Sequence, residues 1–181
     1  QGLVGAWGLA DVEDTQYAIR YLASLGQIDP ERCIIRGGSA GGYTVLSALT
    51  FTDTFKAGAS LYGIGDLETL AKDTHKFESR YLDSLIGPYP ERKDIYIERS
   101  PINHIDGLNC PVIFLQGLED KVVPPNQAEM MVNLLQSKGI KVAHVTFDDE
   151  GHGFRKADNI IRAMESELHF YQDVFNLTEA N

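Results

Sequence analysis

The sequence has only two cysteines, Cys33 and Cys110. That excludes a disulfide framework and any cysteine-rich metal site. Both fall in or beside predicted strands and read as small buried thiols, which favours a reducing, cytoplasmic location. Long apolar runs are also lacking, so no membrane span is predicted. Basic residues are scarce: 16 Lys and Arg stand against 26 Asp and Glu, for a net charge of -10. This argues against nucleic acid or an anionic membrane as partner. There is no H-E-x-x-H, P-loop or G-x-G-x-x-G pattern, so neither a metal nor a cofactor is expected. The start, Gln1 to Gly8, has no initiator Met, basic n-region or apolar h-region. It reads as the interior of a longer polypeptide rather than a signal peptide. A lone sequon, Asn176-Leu177-Thr178, is a match of the kind that arises by chance.

What is present suits one domain. The 181 residues are 43% hydrophobic and 23% charged, enough to bury a core. A helix is predicted from Asp11 to about Leu25, with Asp11 as N-cap, a stripe of Ala18, Leu22 and Leu25, and a stop at Gly26. Strands follow at Arg32–Arg36, Lys56–Tyr62, Pro111–Leu115 and Lys141–Phe147. Helices are predicted over Thr44–Leu49, Asn126–Ser137 and Asp158–Phe175. The last would bury Ile161, Met164, Leu168, Tyr171 and Phe175 on one face. Gly63 to Ile105 is an irregular excursion with short helices near Leu67–Lys72 and Phe77–Leu85, and it is long enough to shape a pocket. The alternation predicts right-handed βαβ crossovers and a parallel sheet with helices on both faces.

The chain is organised around Arg36-Gly37-Gly38-Ser39-Ala40-Gly41-Gly42-Tyr43. A β-branched run enters a glycine-dense turn and leaves as a helix, which fits G-x-S-x-G. In that elbow a serine hydroxyl is presented at the top of a parallel sheet. Gly37 and Gly41 would let strand and helix pass closely. The helix start offers N–H groups and a positive dipole end to a developing oxyanion. The same pattern fits a glycine-rich turn that carries no chemistry, so the partners decide.

A serine nucleophile needs a base, and the base needs an orienting acid, both from loops at the carboxyl ends of strands. Of five histidines, His75 lies in the excursion, His104 before the third strand, His144 inside the fourth and His169 inside the last helix. Only His152, between Gly151 and Gly153, directly follows a strand. For the acid, the loop after Leu115 offers Glu119 and Asp120. Asp120 is preferred, because a turn residue after Gly117 can point back over the strand end, whereas Glu119 should be solvated. The order nucleophile, acid, base is that of α/β-hydrolases.

These residues resemble the catalytic domain of the prolyl oligopeptidase family of serine peptidases. The likeness is carried by Trp7-Gly8 with Asp11-Val12-Glu13-Asp14, by Gly37 to Tyr43, and by Ser100-Pro101-Ile102-Asn103. Gln116 to Asp120 with Val122-Val123-Pro124, and Gly151-His152-Gly153-Phe154, extend it over essentially the whole chain. The closest branch is that of acylaminoacyl- and dipeptidyl-peptidases. The resemblance implies the C-terminal portion of an α/β-hydrolase fold, a mainly parallel sheet of about four strands flanked by helices. It implies Ser39 as nucleophile, Asp120 as acid and His152 as base. The N–H of Ala40 would serve the oxyanion, and Tyr62, Val122 and Val123 would line the pocket for the residue before the scissile bond.

The family's larger sheet and its preceding β-propeller are not in this chain. Residues 1–181 are therefore expected to be a single, truncated hydrolase domain, lacking a second oxyanion donor and exposing the edge of its first strand. An open edge of that kind invites pairing into a homo-oligomer. The expected function is hydrolysis of short peptides through an acyl-enzyme. The alternatives are an esterase or thioesterase of the same fold, or an inactive fragment or binding module.

Overall fold

The computed structural model describes residues 2–73 and 79–177. The β-branched and small-residue runs form four strands: β1 (Ile34–Gly38), β2 (Ala57–Leu61), β3 (Val112–Gly117) and β4 (Val142–Phe147). All pair in parallel in the order β1-β2-β3-β4. Before, between and after them run α1 (Ala10–Ser24), α2 (Ala40–Phe51), α3 (Leu67–Asp73), α4 (Ser79–Leu85), α5 (Lys93–Glu98), α6 (Asn126–Ser137) and α7 (Ala157–Phe175). Strand order follows chain order, so every crossover moves the sheet the same way, and all carboxyl ends open on one side.

Every residue of β2 and β3 is buried, because strands flank them and helices cover both faces. On one face, Val45, Leu46 and Leu49 of α2 and Met131 and Leu135 of α6 pack on Ile35, Val112 and Phe114. On the other, Ala163 and Phe170 of α7 meet Ala59, Leu61, Ile113 and Leu115. The small residues of β2 have a steric reason. A Cβ on Gly58 would lie 2.5 Å from the Leu49 side chain, so α2 could not sit so close. A further cluster joins Trp7, Tyr43, Leu67, Leu82, Tyr96 and Val123, and draws the excursion over the carboxyl ends of the strands.

Several expectations need correction. Helix α1 begins at Ala10 with Leu9 at the cap, and Asp11 is not its N-cap. The Asp11 carboxylate instead accepts from Gly8 N–H at 2.6 Å and from the Thr44 hydroxyl of α2. Its buried residue is Val12, while Ala18 and Leu25 are exposed. The face of α7 is also different: Ala163, Glu167 and Phe170 point inward. Ile161, Met164 and Leu168 are 53%, 62% and 56% exposed. The sheet takes up one narrow stripe of α7, and among the described residues no strand flanks β1 on its outer edge. Helix α5 lies in the stretch whose sequence pattern predicts irregular chain. It is held by tertiary contact, with Ile95 and Tyr96 buried and the Tyr96 hydroxyl donating to Gly87 O at 2.9 Å. His75 and the first residues of the helix expected from Phe77 lie outside the described residues, as does Thr178 of the sequon.

Candidate active site

The elbow is built as the glycines require. Ser39 sits at φ 55° and ψ -120°, a conformation that costs a non-glycine residue about 1–3 kcal/mol and persists only where surroundings enforce it. Its N–H bonds Leu61 O at 2.9 Å, tying the turn to the end of β2. A Cβ on Gly37 would lie 2.4 Å from Gly41 O, so α2 departs directly over the strand. Gly41 itself would carry a Cβ into open space. The second close approach belongs instead to Gly42, whose Cβ would meet Gly63 Cα at 2.6 Å.

Three strand-end loops converge at this serine. The Ser39 hydroxyl lies 2.8 Å from His152 Nε2, and His152 Nδ1 lies 2.8 Å from Asp120 Oδ2. With Nδ1–H donating to the carboxylate, Nε2 keeps a lone pair for the serine proton. The Asp120 side chain is wholly buried, and its Oδ1 accepts from Val122 and Val123 N–H, each at 2.9 Å. The carboxylate is therefore fixed from both oxygens. Glu119 is exposed.

Two supporting residues were missed from the sequence. Gln116 is fully buried at the end of β3. Its amide donates to Gly117 O at 3.1 Å, to Val123 O at 3.3 Å and, at 3.4 Å, to Asp120 Oδ2. A polar residue closing an apolar strand was the available signal. Glu150 is likewise buried. It accepts from Arg155 and Lys156 N–H at 3.0 and 2.9 Å and from the Asn159 amide at 3.0 Å, which locks the His152 loop to the start of α7. The Asn159 side chain, with those two N–H groups, holds the Glu150 carboxyl below its ordinary range. The loop also presses on β3, since a Cβ on Gly117 would lie 2.4 Å from Glu150 O.

Beside Ser39 and Ala40 opens a cleft of about 120 Å³ lined by Trp7, Ile64, Leu70, Leu82, Val122 and Val123. The N–H of Ala40, in the first turn of α2, has no partner within its own helix and borders this cleft. Tyr62 does not line it. At φ 39° the Tyr62 ring lies over Gly38 and meets the edge of the His152 ring at 5.0 Å, with Phe154 behind it at 5.4 Å. Tyr62 and Phe154 instead line a broad surface with Arg36 and α7. Among the described residues no three His, Cys, Asp or Glu side chains could together hold a metal ion.

The model of the prolyl oligopeptidase family matches residues 1–178. The chain belongs to the prolyl oligopeptidase family. A Mycobacterium tuberculosis puromycin-hydrolyzing peptidase superposes with a TM-score of 0.93 at 50% identity, over 95% of this chain and 26% of that one. An uncomplexed Pyrococcus horikoshii acylaminoacyl peptidase gives 0.86 at 28% identity, over 99% of this chain and 30% of that one. Dipeptidyl aminopeptidase BIII of Pseudoxanthomonas mexicana is 32% identical over 161 residues, 86% of this chain and 23% of that protein. The chain thus spans about a quarter of the length of the relatives it matches, and its fold is that of the α/β-hydrolase peptidases.

Proposed function

We propose that the polypeptide containing this chain is a serine peptidase of short peptides, with Ser39, His152 and Asp120 as its catalytic triad. The observation that carries the reading is the unbroken hydrogen-bond chain from Ser39 through His152 to buried Asp120. The Ser39 hydroxyl attacks the scissile carbonyl while Nε2 of His152 takes its proton, and Asp120 stabilises the imidazolium. Ala40 N–H faces the oxyanion. Collapse returns the proton to the departing amine and leaves an ester on Ser39. Water, deprotonated by the same nitrogen, then releases the acid and restores the serine.

By their names the relatives include a dipeptidyl aminopeptidase, acylamino-acid-releasing enzymes and a probable carboxylic ester hydrolase, and this chain belongs to the prolyl oligopeptidase family. The open edge of β1 and the exposed face of α7 support a further part of the reading. The complete polypeptide lays additional strands against β1, supplies a second oxyanion donor and carries a propeller that limits entry. The 181 residues alone would pair through that edge with a second copy. No helix among the described residues is long and apolar enough to cross a membrane. Two free thiols, Cys33 and Cys110, suit a cytoplasmic setting. The test is a panel of aminoacyl, dipeptidyl and acylaminoacyl arylamides against simple aryl esters, with puromycin included, on the complete gene product. Arylamide turnover is expected; turnover of esters alone would sink the peptidase reading in favour of an esterase.

A further inference from the structure

We infer that Tyr62 is a positioning residue for the proposed base, its ring holding the His152 imidazole in line with Ser39 and Asp120. The inference rests on the triad reading and deepens it. His152 needs such a hold. Glycines flank it, Gly153 at φ +91°, so its immediate neighbours offer the ring no side chain to lean on. Asp120 and Ser39 each meet one ring nitrogen at 2.8 Å. The contact to Ser39 is lost once that oxygen is esterified in the acyl-enzyme. The Asp120 bond then acts as a hinge about which the imidazole can swing. Tyr62 meets the ring itself, with centroids 5.0 Å apart and planes at 64°, the edge-to-face arrangement that aromatic pairs prefer. That contact does not depend on the state of the serine.

The backbone around Tyr62 aims this ring. Its N–H donates to Leu115 O of β3 at 2.8 Å. The next residue, Gly63, is pressed against α2, since a Cβ on it would stand 2.8 Å from Gly42 Cα. Between those anchors Tyr62 adopts φ 39°, a conformation that a bulky residue holds only where its surroundings enforce it. Gly38 is then required beside the nucleophile. The three atoms nearest to a Cβ there all belong to the Tyr62 side chain, at 2.9, 3.0 and 3.1 Å. One side chain thus packs on the elbow and on the base together.

The support continues away from the triad. Phe154 meets the Tyr62 ring at 90° and 5.4 Å, and packs on Phe147 at the end of β4 with centroids 4.4 Å apart. Arg162 of α7 covers Phe147 at 4.9 Å and donates to Thr146 O at 3.1 Å. Through these rings the imidazole is braced against β4 and α7. A base that drifts by about 1 Å loses about 10² in rate. Tyr62 acts through His152 alone, so its loss falls on kcat rather than KM.

The test compares the complete gene product as parent, Tyr62→Ala, Tyr62→Phe, Gly38→Ala and the double variant Gly38→Ala with Tyr62→Ala. Fluorophosphonate titration counts the working sites in each. Then kcat and KM per titrated site are measured on the arylamide or ester that the parent turns over fastest, with thermal melts alongside. Tyr62→Ala is expected to lower kcat by about ten- to a hundredfold with KM nearly unchanged. Tyr62→Phe, which keeps the ring, should restore most of that loss. Gly38→Ala keeps the ring but displaces it, and should lower kcat as well. In the double variant the ring is gone, so the added methyl should cost little more than Tyr62→Ala alone. A role confined to folding would lower the melting temperature and the number of titrated sites and leave kcat per site at the parent's value. Parental kcat per site in Tyr62→Ala or, should that variant not fold, in Gly38→Ala overturns the inference and leaves the triad standing. Losses that multiply in the double variant also overturn it. A parent that takes no label overturns the triad reading beneath it.

Discussion

Replacing Asp120 by asparagine and by alanine separates what this carboxylate does for chemistry from what it does for the fold. In Asp120→Asn the side-chain oxygen can still accept from Val122 and Val123 N–H, now 2.9 Å away. The amide nitrogen, however, replaces the oxygen that faces His152 Nδ1 at 2.8 Å. That donor forces the imidazole proton onto Nε2 and removes the lone pair Ser39 needs. In the well-studied triads this change lowers kcat by about 10⁴, equivalent to about 5.4 kcal/mol at 1.36 per decade. Asp120→Ala removes the same orientation and also strands the buried Val123 N–H, costing about 1–3 kcal/mol. For a chain of this size that is roughly 2–12 °C in melting temperature. The expected pattern is two inactive variants with different stabilities: Asn melts close to the parent and Ala melts below it. The assay is kcat/KM on an arylamide with parallel thermal melts. An Asn variant within tenfold of the parent would show that Asp120 does not orient His152.

The elbow gives a steric test. Gly37→Ala forces a carbon to 2.4 Å from Gly41 O and should destabilise by about 1–3 kcal/mol or more. Gly41→Ala, whose carbon enters open space, should stay within about 0.5 kcal/mol in denaturant titrations; equal losses would refute the elbow geometry. Glu150 gives a pH test. Its carboxyl is held below the ordinary range by Asn159 and two backbone N–H groups. Its stabilisation is therefore fully present above the unfolded-state pKa and is lost as pH falls through the depressed folded value. Glu150→Gln should melt below the parent at neutral pH, and the gap should close as pH drops below about 4. A gap independent of pH would refute the role. The bare face of α7 gives an association test. Sedimentation of the 181-residue chain should show concentration-dependent association that Met164→Glu with Leu168→Glu reduces, and a monomer throughout would contradict it.

Periodicity and turn residues made the scaffold legible: α6 runs over the predicted Asn126–Ser137, and all four strands lie within a few residues of their expected places. The positions of the proposed triad were legible because a Gly-x-Ser-x-Gly turn, an acid after β3 and a glycine-flanked histidine after β4 leave few alternatives. What stayed hidden depends on distant contacts. Nothing local in Trp7 shows that it walls a cleft, because Arg99, some ninety positions away, places it. The resemblance places Tyr62 in the pocket, whereas at its positive φ the ring lies against His152. The inward face of α7 was misjudged because its apolar stripe is wider than the sheet beneath it. Asp11 resembled a cap but bridges Gly8 and Thr44 instead.

The triad itself is tested most directly by active-site labelling of the complete gene product with a fluorophosphonate, followed by mass analysis of the labelled peptide. Ser39 should carry the label at one per chain, and labelling should disappear in Ser39→Ala. A parent that takes no label, or a Ser39→Ala variant that labels as fast as the parent, would contradict the account.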